Sequence, residues 1–193
     1  MLFHKPYIGS NGLSATVLFL FLFLESVSGV CARPIQETDL RFHHITTMDG
    51  LSQPSVSTIL QDQSGFLWFG TQNGLTRYDG YEMKVYRRDP GDPYALTNND
   101  ILSLYEDEAG RLWIGTALGL NVYDRGRDQF ITYMNEPYNL SSLSDDNIWD
   151  IQEDRHGYIW VATQDGLNRL DVESGRFKRF YHDPDDTNSL SGN

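Results

Sequence analysis

From Leu51 onward the apolar residues fall in short runs separated by turns rich in Gly, Asp and Asn, a pattern that predicts strands rather than helices. One run, Gly65-Phe66-Leu67-Trp68-Phe69-Gly70-Thr71, returns as Gly110-Arg111-Leu112-Trp113-Ile114-Gly115-Thr116 and again as Gly157-Tyr158-Ile159-Trp160-Val161-Ala162-Thr163. The tryptophans lie 45 and then 47 residues apart, a period that marks propeller blades.

Each unit divides into four strands. The first carries Val56 and Ile59, Ile101 and Leu104, or Ile148 and Ile151; a spacing of three implies either a bulge or a strand that starts after the first of each pair. Asp62 to Gly65, Asp107 to Gly110 and Asp154 to Gly157 then close hairpins, with Asp and Gly at the ends that a type I turn favours. In the second strand Phe66, Trp68 and Gly70 share one face while Leu67 and Phe69 share the other, so both sides are apolar and the strand belongs between two layers. Burying one such tryptophan is worth roughly 4–6 kcal/mol gross, at about 25 cal/mol/Å². Trp68, Trp113 and Trp160 are therefore structural anchors rather than ligand platforms, together with Gly65, Gly110, Gly157, Asp62, Asp107 and Asp154. The third strand follows Asn73-Gly74, Leu118-Gly119 or Asp165-Gly166, and the fourth holds Met83 and Tyr86, Phe130 and Tyr133, or Phe177 and Phe180. The first unit is shorter because Asp79-Gly80 reads as a tight type I′ turn where the others have longer loops, which leaves strand pairing elsewhere unchanged.

These units predict an all-β fold, a β-propeller of four-stranded blades comprising 51–95, 96–142 and 143–189, with 190–193 opening a fourth. Three blades do not close a ring, so the propeller is expected to be incomplete over this stretch. Residues 33–50 form a lead-in, in which Arg41 to Ile45 suggests an outer strand. Adjacent His43 and His44 would point to opposite faces of such a strand and share no ion easily. Residues 1–32 read as a signal peptide or an uncleaved anchor: the ten apolar residues from Ala15 to Leu24 fall short of the roughly 20 that span a bilayer. Val30-Cys31-Ala32 and Val27-Ser28-Gly29 are the alternative cleavage sites, and Cys31 fits a lipidated cysteine poorly. All of these readings place the remaining chain outside the cytoplasm.

With 15 basic and 27 acidic residues among 193, the net charge of −12 argues against nucleic acid or an anionic membrane surface as partners. Cys31 is the only cysteine, which removes disulfide frameworks and multi-cysteine metal sites from consideration. No HExxH, GxSxG, P-loop or dinucleotide fingerprint is present, and the five histidines share no repeat position. The sequence thus predicts no catalytic residues, no metal and no cofactor. Asp183 to Asn188 has the acidic density of a calcium loop without its glycine and late glutamate, and reads as a solvated turn. The hairpin motif also differs from the sialidase Asp-box in the offset of its aspartate.

The run Asp62-x-x-Gly65-x-Leu67-Trp68-Phe69-Gly70-Thr71-x-x-Gly74-Leu75-x-Arg77-x-Asp79, with its two recurrences, resembles the two-component regulator propeller repeat. Ala162, Val122 and Leu170 depart from it. The resemblance implies the extracytoplasmic, periplasmic sensor region of a hybrid two-component histidine kinase, in a membrane-bound homodimeric parent with further blades and signalling domains. The implied ligand is glycan-derived or another small molecule. Two alternatives stand beside it: a secreted propeller that binds or cleaves glycans, and the sensor region of a diguanylate cyclase. On the face where propellers hold ligands, Gln72, Asn73, Gln164 and Asp165 lie on loops between second and third strands, and Tyr94 and Tyr138 on loops between blades. Trp149, where the other units have Ser57 and Leu102, would stack on a sugar if exposed or pack between blades if not.

Overall fold

The computed structural model describes residues 44–193. The stretch expected to be a signal peptide or anchor, together with His43 and most of the lead-in, lies outside the described residues. The rest of the lead-in, His44 to Thr46, is unpaired and runs into a single 3-10 turn over Thr47–Asp49. Thr46 and Asp49 form a reciprocal capping box there, and Gly50 ends the turn with φ of 107°.

Twelve strands follow: β1 Val56–Gln61, β2 Leu67–Thr71, β3 Gly74–Tyr78, β4 Met83–Tyr86, β5 Ile101–Glu106, β6 Leu112–Thr116, β7 Gly119–Asp124, β8 Gln129–Tyr133, β9 Ile148–Glu153, β10 Ile159–Thr163, β11 Gly166–Asp171 and β12 Arg176–Phe180. They form three antiparallel four-stranded meanders, each in chain order. Contacts between sheets concentrate on the first strands, β1 with β5 and β5 with β9, and on β2 with β5 and β6 with β9. The sheets are therefore closest at β1, β5 and β9 and fan outward, the geometry of propeller blades.

The first strands are bulged, which explains the spacing of three. Register shifts between Val56 and Thr58 and between Ile101 and Ser103 leave Ser57 and Leu102 unpaired, and Trp149 is skipped where Thr163 pairs with Ile148 and Ala162 with Asp150. The Asp79-Gly80 expectation needs correction. The two-residue turn centres on Gly80 and Tyr81, with φ of 97° at Gly80 and no positive φ at Tyr81, the II′ pattern. The Asp79 carboxylate accepts the amides of Tyr81 and Glu82 at 2.8 and 2.7 Å, which fixes Asp79 as the first residue of the turn, just past the end of β3. The later units do have longer tips, of four residues between the pairs Asp124–Gln129 and Asp171–Arg176. In those tips Asp128 (φ 58°) fills the left-handed position that Gly175 (φ 69°) takes one unit later.

The core lies between sheets. Trp68, Leu75 and Tyr86 of the first sheet meet Ile101, Leu112, Ile114 and Phe130 of the second. Trp113 and Leu120 of the second meet Ile148, Ile159, Val161 and Phe177 of the third. Trp68 and Trp113 thus each face the sheet that follows. The neighbouring glycine of each makes the close approach work: a Cβ on Gly70 would stand 2.7 Å from Ile101 Cγ2, and one on Gly115 2.8 Å from Ile148 Cγ2. The middle sheet shows the result, since all five residues of β6 are buried, whereas along β10 buried and half-buried residues alternate because one face is covered and the other is not.

Candidate functional site

A recurring carboxylate ties each hairpin to its tryptophan. Asp62 Oδ1 accepts the amides of Ser64 and Phe66, both at 3.0 Å, and Oδ2 accepts the Trp68 indole N–H at 2.8 Å. Asp107 and Asp154 hold Trp113 and Trp160 in the same way, both at 2.8 Å. One carboxylate therefore fixes both the turn and the ring orientation, a role that the offset of six residues does not by itself disclose. Burial pushes the Asp62 carboxyl up, but the hydrogen bonds from Trp68, Arg125 and Phe66 outweigh it and hold the group below the usual carboxylate range. The Trp160 indole is the main cause of the same direction at Asp154.

At the opposite end of the sheets sits a buried polar cluster that the motif search did not detect. The Ser52 and Thr71 hydroxyls meet at 2.9 Å, Thr97 and Thr116 at 3.2 Å, and Ser144 and Thr163 at 2.9 Å. Thr76, Asn121 and Asn168 complete the three clusters. The recurrence of Leu-Ser/Thr at 51–52, 96–97 and 143–144 was the available signal. These clusters anchor each β2–β3-type turn to the segment that enters its sheet. Each turn is also tied to the connection leading out of the sheet or into it: the Gly74 amide donates to Asn99 O at 2.8 Å, Gly119 to Asp146 O at 2.6 Å, and Gln164 to Asn147 O at 3.0 Å. The turns and the inter-blade connections accordingly form one face.

The proposed ligand residues sit on or beside this face but do not converge. Asn73 is engaged by its own scaffold, donating from Nδ2 to Ser52 O at 3.1 Å and accepting Arg87 Nε at its carbonyl at 2.9 Å, and neighbouring Gln72 is exposed. Gln164 Oε1 accepts Asn147 Nδ2 at 3.2 Å, and Asp165 Oδ1 accepts Asn193 Nδ2 at 3.0 Å; both side chains are exposed. Tyr94 lies at the outer edge, where its carbonyl accepts the Phe130 amide of β8 at 2.8 Å and its ring borders a 430 Å³ groove with Phe130 and Ile131. Tyr138 stands fully out on the connection between the second and third sheets. Trp149, on the innermost strand of the third sheet, is 58% exposed and is not packed between the blades. The arrangement provides hydrogen-bonding amides and a carboxylate at the turns and one aromatic surface toward the inner strands, chemistry suited to a polar ligand.

Among the described residues no group of three or more His, Cys, Asp or Glu side chains is arranged to hold a metal. The acidic segment after β12 spends its carboxylates on its own backbone, with Asp183 Oδ1 accepting the Asp185 amide at 3.0 Å and Asp186 Oδ1 the Asn188 amide at 2.9 Å.

Three packed meanders, each carrying the same internal Asp–Trp pair, define a β-propeller repeat array. Residues 50–73, 95–117 and 142–165 match the two-component regulator propeller family, and the repeats of this chain are of that family. The chain is also similar to an extracellular domain assigned to a hybrid two-component system of B. thetaiotaomicron, at 29% identity and a TM-score of 0.67 over 72% of this chain and 20% of that one. A segment of 86 residues is 37% identical to histidine kinase P4 of Formosa agariphila, covering 45% of this chain and 6% of that protein. PorZ, a surface component of the type-IX secretion system of Porphyromonas gingivalis, shares the fold at 19% identity and a TM-score of 0.50, over 66% of this chain and 21% of its own. The chain therefore spans a small part of the length of each relative.

Proposed function

We propose that this chain supplies blades to the extracytoplasmic sensor propeller of a membrane-anchored two-component regulator of the hybrid histidine kinase kind. The observation that carries this reading is the threefold Asp–Trp repeat in sheets that superpose on an extracellular domain of such a system. The blades bind and transmit; phosphoryl transfer belongs to other domains of the parent. The turn face takes the signal, a glycan-derived or similarly polar small molecule, with Gln72, Gln164 and Asp165 donating and accepting hydrogen bonds and Trp149 stacking on a sugar face.

Two measurements test the reading. Alkaline phosphatase fused after Asn193 becomes active only when exported, so an inactive, cytoplasmic fusion refutes the extracytoplasmic assignment. Calorimetric titration of the longer parent ectodomain with oligosaccharides should give binding that Trp149→Ala weakens about tenfold or more, the weight of one stacked base or sugar ring at about 1–3 kcal/mol. Undiminished binding in Trp149→Ala removes that residue from the site.

A further inference from the structure

The connections between consecutive sheets are built alike, and the first lacks two groups that the second has. Each makes two successive turns. In the first, the Asp92 amide donates to Asp89 O at 3.1 Å and the Ala95 amide to Asp92 O at 3.2 Å; in the second, Asn139 donates to Glu136 O at 2.9 Å and Ser142 to Asn139 O at 3.0 Å. In the second connection Arg179 of β12 ties these turns together. Its Nε donates to Ser142 O, and its Nη2 to Asn139 O and Ser142 Oγ, all at 2.8 Å. The Ser142 hydroxyl also accepts the Glu136 amide at 2.8 Å.

The equivalent positions 47 residues earlier hold Thr132 instead of Arg179 and Ala95 instead of Ser142. Strand pairing gives the same correspondence: Thr132 of β8 lies opposite Asn121 as Arg179 of β12 lies opposite Asn168. The place that the guanidinium takes in the second connection is, in the first, a 230 Å³ cavity lined by Thr132, Ala95, Asp92, Asp89 and Met134. Arg88 lines it too, outnumbered by the two carboxylates. Among the described residues Asp92 O accepts only the Ala95 amide, Ala95 O accepts nothing, and the Asp89 amide, whose counterpart reaches Ser142 Oγ, has no acceptor. Asp89 and Asp92 use Oδ1 on their own turns, for the amides of Gly91 at 2.8 Å and Tyr94 at 2.9 Å, which leaves Oδ2 of each to face a cation.

We infer that this cavity binds a guanidinium group brought by a ligand, either a small guanidino compound or an arginine side chain of a partner protein. The planar cation donates to Asp92 O and Ala95 O as Arg179 does to Asn139 O and Ser142 O, and the Asp89 and Asp92 carboxylates supply the opposing charge. The Asp89 amide donates to an acceptor that the ligand carries beside the cation. This site lies between the first connection and β8, on residues other than those assigned to the polar ligand above, so either reading can fail without the other.

Amide NMR of the isotopically labelled full chain, titrated with N-acetyl-arginine amide, provides the test, with the neutral isostere N-acetyl-citrulline amide as the control. The Asp89, Ala95 and Thr132 signals should move saturably with the arginine compound, and the citrulline compound should bind about tenfold more weakly or worse, the weight of hydrogen bonds from a charged group. Added salt should weaken the binding. Thr132→Arg carries its own guanidinium into the cavity and should abolish the movement. The converse variant, Arg179→Thr with Ser142→Ala, should open a second site that moves the Glu136 signal, and serves if near-UV circular dichroism shows Thr132→Arg to be misfolded. Methylguanidinium binding as tightly as the arginine compound points to a small guanidino ligand, and tighter binding of the arginine compound points to an arginine within a chain. No saturable movement in the wild-type chain, equal affinity for the two isosteres, or undiminished binding in folded Thr132→Arg overturns the inference.

Discussion

Trp113→Ala is the most direct test of the claim that the core lies between the sheets. Trp113 has no exposed surface, packs against the third sheet and donates its indole N–H to Asp107 at 2.8 Å, while Trp160, at the same repeat position and with the same hydrogen bond, is half-buried. Truncating a buried tryptophan to alanine costs about 3–5 kcal/mol through lost transfer energy and the cavity left behind. Asp107, 1% exposed, additionally loses the indole partner, a penalty of about 1–3 kcal/mol that the Arg111 guanidinium at 2.6 Å reduces. Trp160→Ala removes the same atoms from a site already open to water, so about half the transfer energy is at stake, roughly 2 kcal/mol. Urea unfolding followed by far-UV circular dichroism, at concentrations low enough to keep the chain monomeric, reads both as shifts in midpoint. A loss below about 1 kcal/mol for Trp113→Ala, or equal losses for the two variants, refutes the assignment of Trp113 to the interface with the third sheet.

Gly115→Ala places a methyl 2.2 Å from Ser103 Oγ and 2.8 Å from Ile148 Cγ2, and should lower stability by about 1–3 kcal/mol, whereas Ala162→Gly on the uncovered face should change it by under about 1 kcal/mol; both are read by thermal melts. Asp128→Gly keeps the left-handed backbone but removes the acceptor shared by Tyr86 at 2.7 Å and Tyr123 at 2.6 Å, and should lower the melting temperature, while Asp128→Asn should retain part of the wild-type value. Burial opposes the charge on Asp128, yet hydrogen bonds from Lys84, Tyr123 and Tyr86 bring its pKa down to about 2. A depressed folded-state value means that this stabilisation is complete above the ordinary carboxylate pKa and is lost as pH falls from about 4 through 2, so Asp128→Asn should flatten the acid limb of a stability-versus-pH curve. An unchanged acid limb would show that Asp128 does not contribute to it.

Blade count, strand number and hairpin positions were legible in the sequence because a period repeated three times averages out local ambiguity. The two-residue difference at the hairpin tip was legible for the same reason, but not its type, since the Asp-Gly pair does not itself show that Asp79 stands first in the turn and Gly80 second. What one strand does to another sheet was hidden. Arg77 to Tyr123 and Arg125 to Asp62, at 3.1 and 2.8 Å, join residues 46 and 63 positions apart, and no pattern within a unit specifies them. The candidate site was legible only as a face. Loop order places Gln72, Gln164, Tyr94 and Tyr138 at one end of the sheets, but their distance from the inner strands follows from how the sheets fan out, and that separates the tyrosines from the turns. Trp149 shows the limit most clearly: the bulge explains its spacing, while no pattern within the unit specifies its 58% exposure.

The orientation of Trp68 and Trp113 gives the array a direction. Because each is covered by the sheet encoded after it, neither unit completes its own core; the next unit completes it. Asp62 and Asp107 fix the two rings from within their own units, six residues away, so the orientation of each indole is a local property of its repeat while its burial is a property of the pair.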